Sequence, residues 1–195
     1  MRRLRSSKKE QMFENKTSMQ KVLELFFSSQ YKEFTLTDVA GQSGVSKSQA
    51  SSIVKGLSKK EIIVLKELGK KVWRIRANNE SFEFKKRKIA YNLALIYSTR
   101  IVETLNEIYK NPKAIILFGS FRWGENGENS DIDIAIEVVK EKAIEILELK
   151  ELEEIGKALG EKIKIHVFNR KKIDRNLLAN IANGIVLYGF LEIYE

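Results

Sequence analysis

The spacing of hydrophobic residues predicts three short helices near the start of the chain. Between residues 17 and 29 the apolar side chains form one stripe at helical spacing, and two further helical segments follow it. Thr35 or Thr37 can cap the second helix, and Ser46 can cap the third, which is predicted over Lys47–Lys59. A turn is predicted over residues 41–45, between these last two helices.

Alternating apolar and polar residues predict a β-hairpin after the third helix. Its strands are expected over residues 62–66 and 71–76, with Gly69 between them. A winged helix-turn-helix has this order of elements: three helices, with a turn before the last, and then a hairpin. Residues 36–50 resemble that family closely. In that segment Ala40, Gly44 and Val45 supply the small residue, the turn glycine and the buried aliphatic side chain of the family.

The positive charge of the chain lies in its first 80 residues. They hold 17 Lys and Arg against 8 Asp and Glu, whereas the remaining residues hold 18 of each and are neutral. This imbalance favours a nucleic-acid partner for the first part, and the resemblance implies duplex DNA bound by the start of the third helix. A solubilising surface and a protein-docking or dimerisation module are the alternatives. The candidate DNA contacts are Ser46, Lys47, Ser48, Gln49, Ser52, Lys55, Lys70 and Lys71.

One long connecting helix is predicted over residues 81–110. Apolar residues recur through it at helical spacing, and Pro112 ends it because proline cannot continue a helix. The length of this helix also makes it a candidate surface for a homodimer.

Two strands and the loop between them carry the candidate chemistry. Ala114–Phe118 is wholly apolar, as a buried strand would be, and ends in Gly119 and Ser120. A second strand is predicted to start at Asp131, and its period of two places Asp131 and Asp133 on one face, about 7 Å apart. Two neighbouring carboxylates repel each other unless a cation compensates, and Mg²⁺ (or Mn²⁺) suits such oxygen ligands. Gly119 lets a phosphate approach the backbone, Ser120 can hold a phosphate oxygen, and Arg122 can add charge.

The segment Leu117–Gly124 followed by Ser130–Ile134 resembles the nucleotidyltransferase superfamily that includes DNA polymerase beta, and within it the minimal, archaeal-type members. The resemblance covers residues 112–190 and implies a small mixed sheet with flanking helices. It implies transfer of a nucleotidyl group from a nucleoside triphosphate such as ATP to a hydroxyl. The residues involved would be metal ligands at Asp131 and Asp133, with nucleotide contacts at Gly119, Ser120, Arg122 and Ser130.

The chain departs from that family at its third carboxylate. The strand predicted over residues 162–168 places Lys164 or His166 where the family usually has an Asp. His166 is the only histidine and a candidate catalytic base, with a role unrelated to catalysis as the alternative. Lys164 can instead neutralise the site. From the resemblance we expect an enzyme. The missing carboxylate favours the alternative, a DNA-binding regulator or an antitoxin-like protein with a toxin-like partner, whose domain binds nucleotide without transferring it.

The remaining patterns complete the expected organisation. A surface helix is predicted over residues 141–159 and a closing helix over 177–181, before an apolar segment at 184–189. The absence of cysteines and of a long apolar run predicts a cytoplasmic protein without membrane contact. The predicted class is α+β: a basic segment at 1–15, the winged helix at 16–80, the connecting helix at 81–110 and a nucleotidyltransferase-like domain at 111–195.

Overall fold

The computed structural model of the chain describes residues 16–69, 72–139 and 145–192. It divides into two compact units whose described parts are residues 16–88 and 89–192. The helices are α1 (Ser18–Ser28), α2 (Leu36–Ser43), α3 (Lys47–Lys59), α4 (Phe82–Ser98), α5 (Ile101–Tyr109), α6 (Gly119–Trp123), α7 (Lys150–Leu159) and α8 (Arg175–Ala182). The strands are β1 (Glu33–Phe34), β2 (Ile63–Glu67), β3 (Trp73–Ala77), β4 (Ala114–Phe118), β5 (Ile132–Glu137), β6 (Glu145–Leu147), β7 (Ile163–Phe168) and β8 (Ile185–Gly189).

The first unit packs α1, α2 and α3 with a three-stranded antiparallel sheet in the order β1-β3-β2. The predicted hairpin is confirmed as the β2–β3 pair, in which Leu65 lies opposite Ile75. Phe26 of α1 contacts Phe34 of β1 edge to face, with ring centroids 5.6 Å apart. These buried side chains form the core that holds α3 in place.

Reciprocal hydrogen bonds between side chain and backbone start each of the first three helices. Thr35 caps α2, with the Oγ1 of Thr35 accepting from the N–H of Asp38 and the Asp38 carboxylate accepting from the N–H of Thr35. The backbone hydrogen bond to Thr35 holds the pKa of Asp38 below its ordinary value. Ser46 and Gln49 form the same arrangement at the start of α3, so the helix predicted over Lys47–Lys59 is confirmed.

The second unit contains a mixed five-stranded sheet in the order β6-β7-β5-β4-β8. β5 is antiparallel to β4 and parallel to β7, while β8 and β6 close the two edges in antiparallel pairing. All five residues of β4 are buried, as its apolar sequence predicts. With its helices this mixed sheet confirms the predicted α+β class.

The helix α8 covers one sheet face and the helix α7 packs on β7. Asp174 caps α8 by accepting hydrogen bonds from two backbone N–H groups, which starts the helix two residues earlier than predicted. Buried Ile116, Ala135 and Ile181 form the core under α8, with Leu177 and Leu178 packed against it.

The single helix predicted over residues 81–110 is wrong, because the helix is interrupted between α4 and α5. The hydroxyl of Thr99 donates to the carbonyl of Ile96 and accepts from the N–H of Ile101. Such side-chain bonds compete with helical backbone bonds and stop α4 at Ser98. The division between the two units falls within α4, after Lys88.

Two further boundaries differ from the predicted ones. Part of the predicted surface helix over 141–159 is the edge strand β6, whose residue Ile146 pairs with His166, so strand pairing overrides the helical pattern. The helix α2 extends through residues 41–43 into the predicted turn and ends at Gly44, which is left-handed with φ 64°.

Several predicted features lie outside the described residues. They are the basic segment 1–15, the hairpin-tip residues Lys70 and Lys71, and residues 141–144 of the predicted helix. In the described ranges no helix is both long and apolar enough to cross a membrane.

Candidate active site

The site begins where the buried strand β4 turns into the short helix α6. Gly119 adopts φ 71°, a conformation that residues with a side chain rarely adopt. A Cβ atom added at Gly119 would lie 2.7 Å from Oδ2 of Asp133, which is too close for two non-bonded atoms. Asp133 is held there because it pairs with Phe118 across β4 and β5. Glycine is therefore required at this position by both the backbone and the neighbouring carboxylate.

The two predicted carboxylates face the two polar residues of β7. Oδ2 of Asp131 accepts from Nζ of Lys164 at 2.6 Å, and Oδ1 of Asp133 lies 3.0 Å from Nε2 of His166. The parallel pairing of β5 and β7 produces this arrangement, with Asp133 opposite Lys164. The structure thus brings the predicted residues together, and the position expected for a third carboxylate carries nitrogen donors.

His166 is fixed on both sides of its ring. Its ring packs edge to face on Phe118 with the centroids 4.9 Å apart. Nδ1 is buried and has no hydrogen-bond partner among the described residues. Because an ionised carboxylate only accepts hydrogen bonds, the contact with Asp133 favours the tautomer with its proton on Nε2.

Lys164 contacts the carboxylate of Asp131 although its side chain is partly exposed. Its side chain retains 37% exposure, yet the pKa of Lys164 is raised, first by its hydrogen bond to Asp131 and then by the charge of that carboxylate. The ammonium group of Lys164 is therefore positively charged at neutral pH. Sequence spacing alone left open whether Lys164 or His166 would face the acids, and the structure places both there.

The other predicted nucleotide contacts surround Gly119. Ser120 is the second residue of α6, and its side chain is partly exposed. Nε of Arg122 donates to the carbonyl of Asn183 at 2.8 Å, and its guanidinium stacks 3.6 Å from the centre of the Trp123 ring. The hydroxyl of Ser130 accepts from the N–H of Gly127 at 2.9 Å, so Ser130 shapes the loop that leads to Asp131.

Two buried amides, which sequence reasoning missed, hold that loop. Nδ2 of Asn92 on α4 donates to the carbonyl of Phe121 at 2.7 Å and to Oδ1 of Asn126 at 2.8 Å. Asn92 is 2% exposed and Asn126 is 6% exposed. The signal for Asn92 in the sequence is a polar residue on the apolar stripe of a helix, which marks a buried hydrogen bond.

The two carboxylates carry oxygen atoms of the kind that hard divalent ions bind. Mg²⁺ commonly takes one or two carboxylates and completes its shell with water and substrate phosphate. Oδ1 of Asp131 and Oδ2 of Asp133 have no hydrogen-bond partner in the part of the chain that the structure describes. No group of three or more His, Cys, Asp or Glu side chains that could hold a metal occurs there either. An ion at this site would therefore be bound by the two carboxylates together with water or substrate phosphate.

A buried acid lies at the opposite end of β5. Glu137 is 3% exposed, and Oε1 of Glu137 lies 3.7 Å from Nε of Arg170. Its Oε2 is buried and has no hydrogen-bond partner among the described residues. Burial, opposed in part by the charges of Arg170 and Lys113, raises the pKa of Glu137.

Six of the predicted DNA contacts lie at the start of α3 and along its exposed face, whereas Lys70 and Lys71 are outside the described residues. Ser46 and Gln49 are exposed, but their side chains are engaged with each other's backbone in capping the helix. Lys47, Ser48 and Ser52 are exposed as well. Nζ of Lys55 stands 5.3 Å from the centre of the Trp73 ring, a contact between α3 and β3 that the sequence did not predict.

Comparison with known proteins gives one match. No curated protein and no solved structure matches the chain. Residues 98–188 match the family model described as nucleotidyltransferase domain. The matched range contains Gly119, both carboxylates and His166, and it runs from the end of α4 to β8. The part of the chain that holds the candidate site is therefore similar to nucleotidyltransferase domains.

Proposed function

We propose that the second unit transfers a nucleotidyl group from a nucleoside triphosphate to a hydroxyl acceptor with the help of Mg²⁺ or Mn²⁺. The observation that carries this proposal is the position of Asp131 and Asp133 against Gly119, inside the range that matches the family. A bound divalent ion would neutralise charge on the triphosphate and on the departing pyrophosphate.

In the proposed reaction the acceptor oxygen forms a bond to the α-phosphorus and the bond from that phosphorus to pyrophosphate breaks. The missing side chain of Gly119 lets the Asp133 carboxylate lie against the backbone, and the backbone N–H groups of Gly119 and Ser120 would contact the triphosphate beside it. Arg122 uses only Nε in its bond to Asn183, so its terminal nitrogens remain oriented by Trp123 for a phosphate oxygen. The hydroxyl proton passes to water or to a nearby carboxylate.

The contacts of His166 support a positioning role in this proposal. Nε2 is engaged with Asp133 and Nδ1 is buried, so neither nitrogen is presented to an acceptor hydroxyl. His166 would fix the orientation of the Asp133 carboxylate, as partners of metal ligands commonly do. The predicted role of His166 as a base stays a prediction.

We further propose that the first unit is a winged helix-turn-helix that binds duplex DNA. Its exposed α3 residues and the net positive charge of residues 1–80 support this proposal. Lys47, Ser48, Ser52 and Lys55 remain the best candidates for contact. Ser46 and Gln49 contribute through the helix start, and Lys70 and Lys71 would add charge at the hairpin tip.

Transfer is tested with α-³²P-labelled nucleoside triphosphates, Mg²⁺ or Mn²⁺, and protein, duplex DNA or RNA acceptors. The full chain is expected to label one acceptor class, and Asp131→Asn with Asp133→Asn is expected to abolish the labelling. Equal labelling by the double variant would refute the role of this site.

A second candidate function is favoured by the ion pair between Lys164 and Asp131. In it the protein is a DNA-binding regulator or an antitoxin-like partner of a toxin, and the domain binds nucleotide without transferring it. Calorimetry would then give nucleotide binding that Asp133→Asn weakens, while no acceptor becomes labelled.

A further inference from the structure

Lys164 is a cation built into the candidate metal site, and its contacts lead one step beyond the proposed function. Nζ of Lys164 lies 2.6 Å from Oδ2 of Asp131, within range of a strong charge-assisted hydrogen bond. In the sheet register the residue is directly opposite Asp133 on the neighbouring strand. The ammonium group therefore occupies the side of the carboxylate pair that faces β7.

This position changes the charge available to divalent ions. Two carboxylates and one ammonium leave one net negative charge, whereas three carboxylates would give three. A site that binds two divalent ions needs several carboxylate oxygens between ions about 3.5–4 Å apart. With Oδ2 of Asp131 held by Lys164 and Oδ1 of Asp133 held by His166, one oxygen of each acid remains. Two remaining oxygens are too few to ligate two divalent ions.

We propose that Lys164 takes the place of one divalent ion, so that the site holds a single divalent ion between Asp131 and Asp133. The inference rests on the proposed function for the identity of the metal site. It adds that the site binds one divalent ion and that the positive charge of Lys164 replaces the charge of a second ion. Lys164 also lowers the affinity for the remaining ion through repulsion.

A surface ion pair without function would behave differently. Exposed Lys–carboxylate pairs contribute little to stability, and their loss leaves metal binding elsewhere unchanged. Lys157 offers such a pair for comparison, since Nζ of Lys157 lies 3.4 Å from Oε2 of Glu153 on the exposed side of α7. Lys157→Met therefore removes the same charge and the same kind of contact outside the site.

Mn²⁺ binding to the full chain without nucleotide tests the inference by electron paramagnetic resonance. The unaltered protein is expected to bind one Mn²⁺, and Lys164→Met to bind it about tenfold more tightly because a positive charge a few ångströms away is removed. Lys164→Asp is expected to bind two ions with a spin-coupled spectrum. Lys157→Met should match the unaltered protein, and Asp131→Asn should bind more weakly.

Two results would overturn the inference. One is equal Mn²⁺ affinity in the unaltered protein and Lys164→Met, and the other is a spin-coupled pair of ions in the unaltered protein. Thermal unfolding of each variant checks its fold, and Lys164→Met decides the question if Lys164→Asp does not fold. Since nucleotide is omitted, failure to label any acceptor counts against the proposed function and leaves the metal result intact.

Discussion

Nε2 of His166 lies 3.0 Å from Oδ1 of Asp133, while the second oxygen of the same carboxylate faces Gly119. The Asp133 side chain is therefore fixed by residues from β7 and from the end of β4. A carboxylate held in this way loses little conformational freedom when it binds a metal ion, and this favours metal binding.

His166→Ala is expected to lower the affinity for Mn²⁺ by about 10- to 100-fold, because Asp133 loses the partner that orients it. Fluorescence or calorimetric titration of Mn²⁺ measures the change. His166→Gln keeps an N–H donor and is expected to restore part of the affinity. Unchanged affinity in both variants would exclude a positioning role.

Gly119→Ala is expected to lower the free energy of unfolding and to weaken metal and nucleotide binding together. The positive φ alone costs about 1–2 kcal/mol for a residue with a Cβ, and the added carbon meets Asp133. Gly160→Ala is the matched control, since Gly160 has φ 76° and open space around its Cβ position. Both variants should lose stability in urea unfolding, and only Gly119→Ala should lose binding. Unchanged Mn²⁺ binding by Gly119→Ala would contradict the importance of the close approach between Asp133 and Gly119.

Asn92→Ala is expected to destabilise the second unit by about 1–3 kcal/mol, because it removes two buried hydrogen bonds, to the carbonyl of Phe121 and to Oδ1 of Asn126. Urea unfolding measures this loss. Asn176→Ala changes an exposed asparagine of α8 and is expected to cost less than about 0.5 kcal/mol. Equal effects of the two substitutions would show that the Asn92 bonds contribute nothing.

Lys55→Met is expected to weaken binding to duplex DNA and to make that binding less sensitive to salt. Loss of one phosphate contact reduces the slope of log affinity against log salt by about 0.9. Binding is measured by fluorescence anisotropy across a salt series. Lys171→Met, in the second unit, removes the same charge and should leave the slope unchanged. An unaltered slope for Lys55→Met would place Lys55 outside the DNA interface.

Glu137→Gln is expected to raise stability near neutral pH and to flatten its pH dependence. The pKa of Glu137 is raised above its ordinary 4.5 in the folded protein, so between the two values the folded state holds more protons than the unfolded state. Stability contributed by this group is therefore full below pH 4.5 and falls as the pH rises through the folded pKa. Thermal unfolding across this pH range, with and without the substitution, tests whether stability falls as the pH rises.

The parts of the fold that the sequence predicted are those governed by local rules. Ser46 marked the start of α3, and the wholly apolar residues of β4 marked a buried strand. Both predictions worked because capping and burial each act within a few residues. The strand β6 escaped prediction because its pairing with β7 is a long-range contact that overrides local helical preference.

The same distinction holds for the candidate site. The sequence placed Asp131 and Asp133 on one face, since strand periodicity is local. It did not specify which atoms of β7 meet them, because that depends on the register between two strands about 30 residues apart. Asn92 was missed for the same reason, since its partners Phe121 and Asn126 lie in a distant loop.

The pairing of β8 with β4 also sets the order in which the unit can assemble. Ile185 lies opposite Leu117, so a loop of almost seventy residues must close before β4 is flanked on both sides. Loop closure over such distances slows folding, because its entropy is lost before the contacts form. The carboxylates and their partners on β7 come together only through the pairing of β5 with β7, which is also a long-range contact. Metal binding during refolding is therefore expected to appear with the final cooperative step, which makes a bound ion a reporter of complete folding.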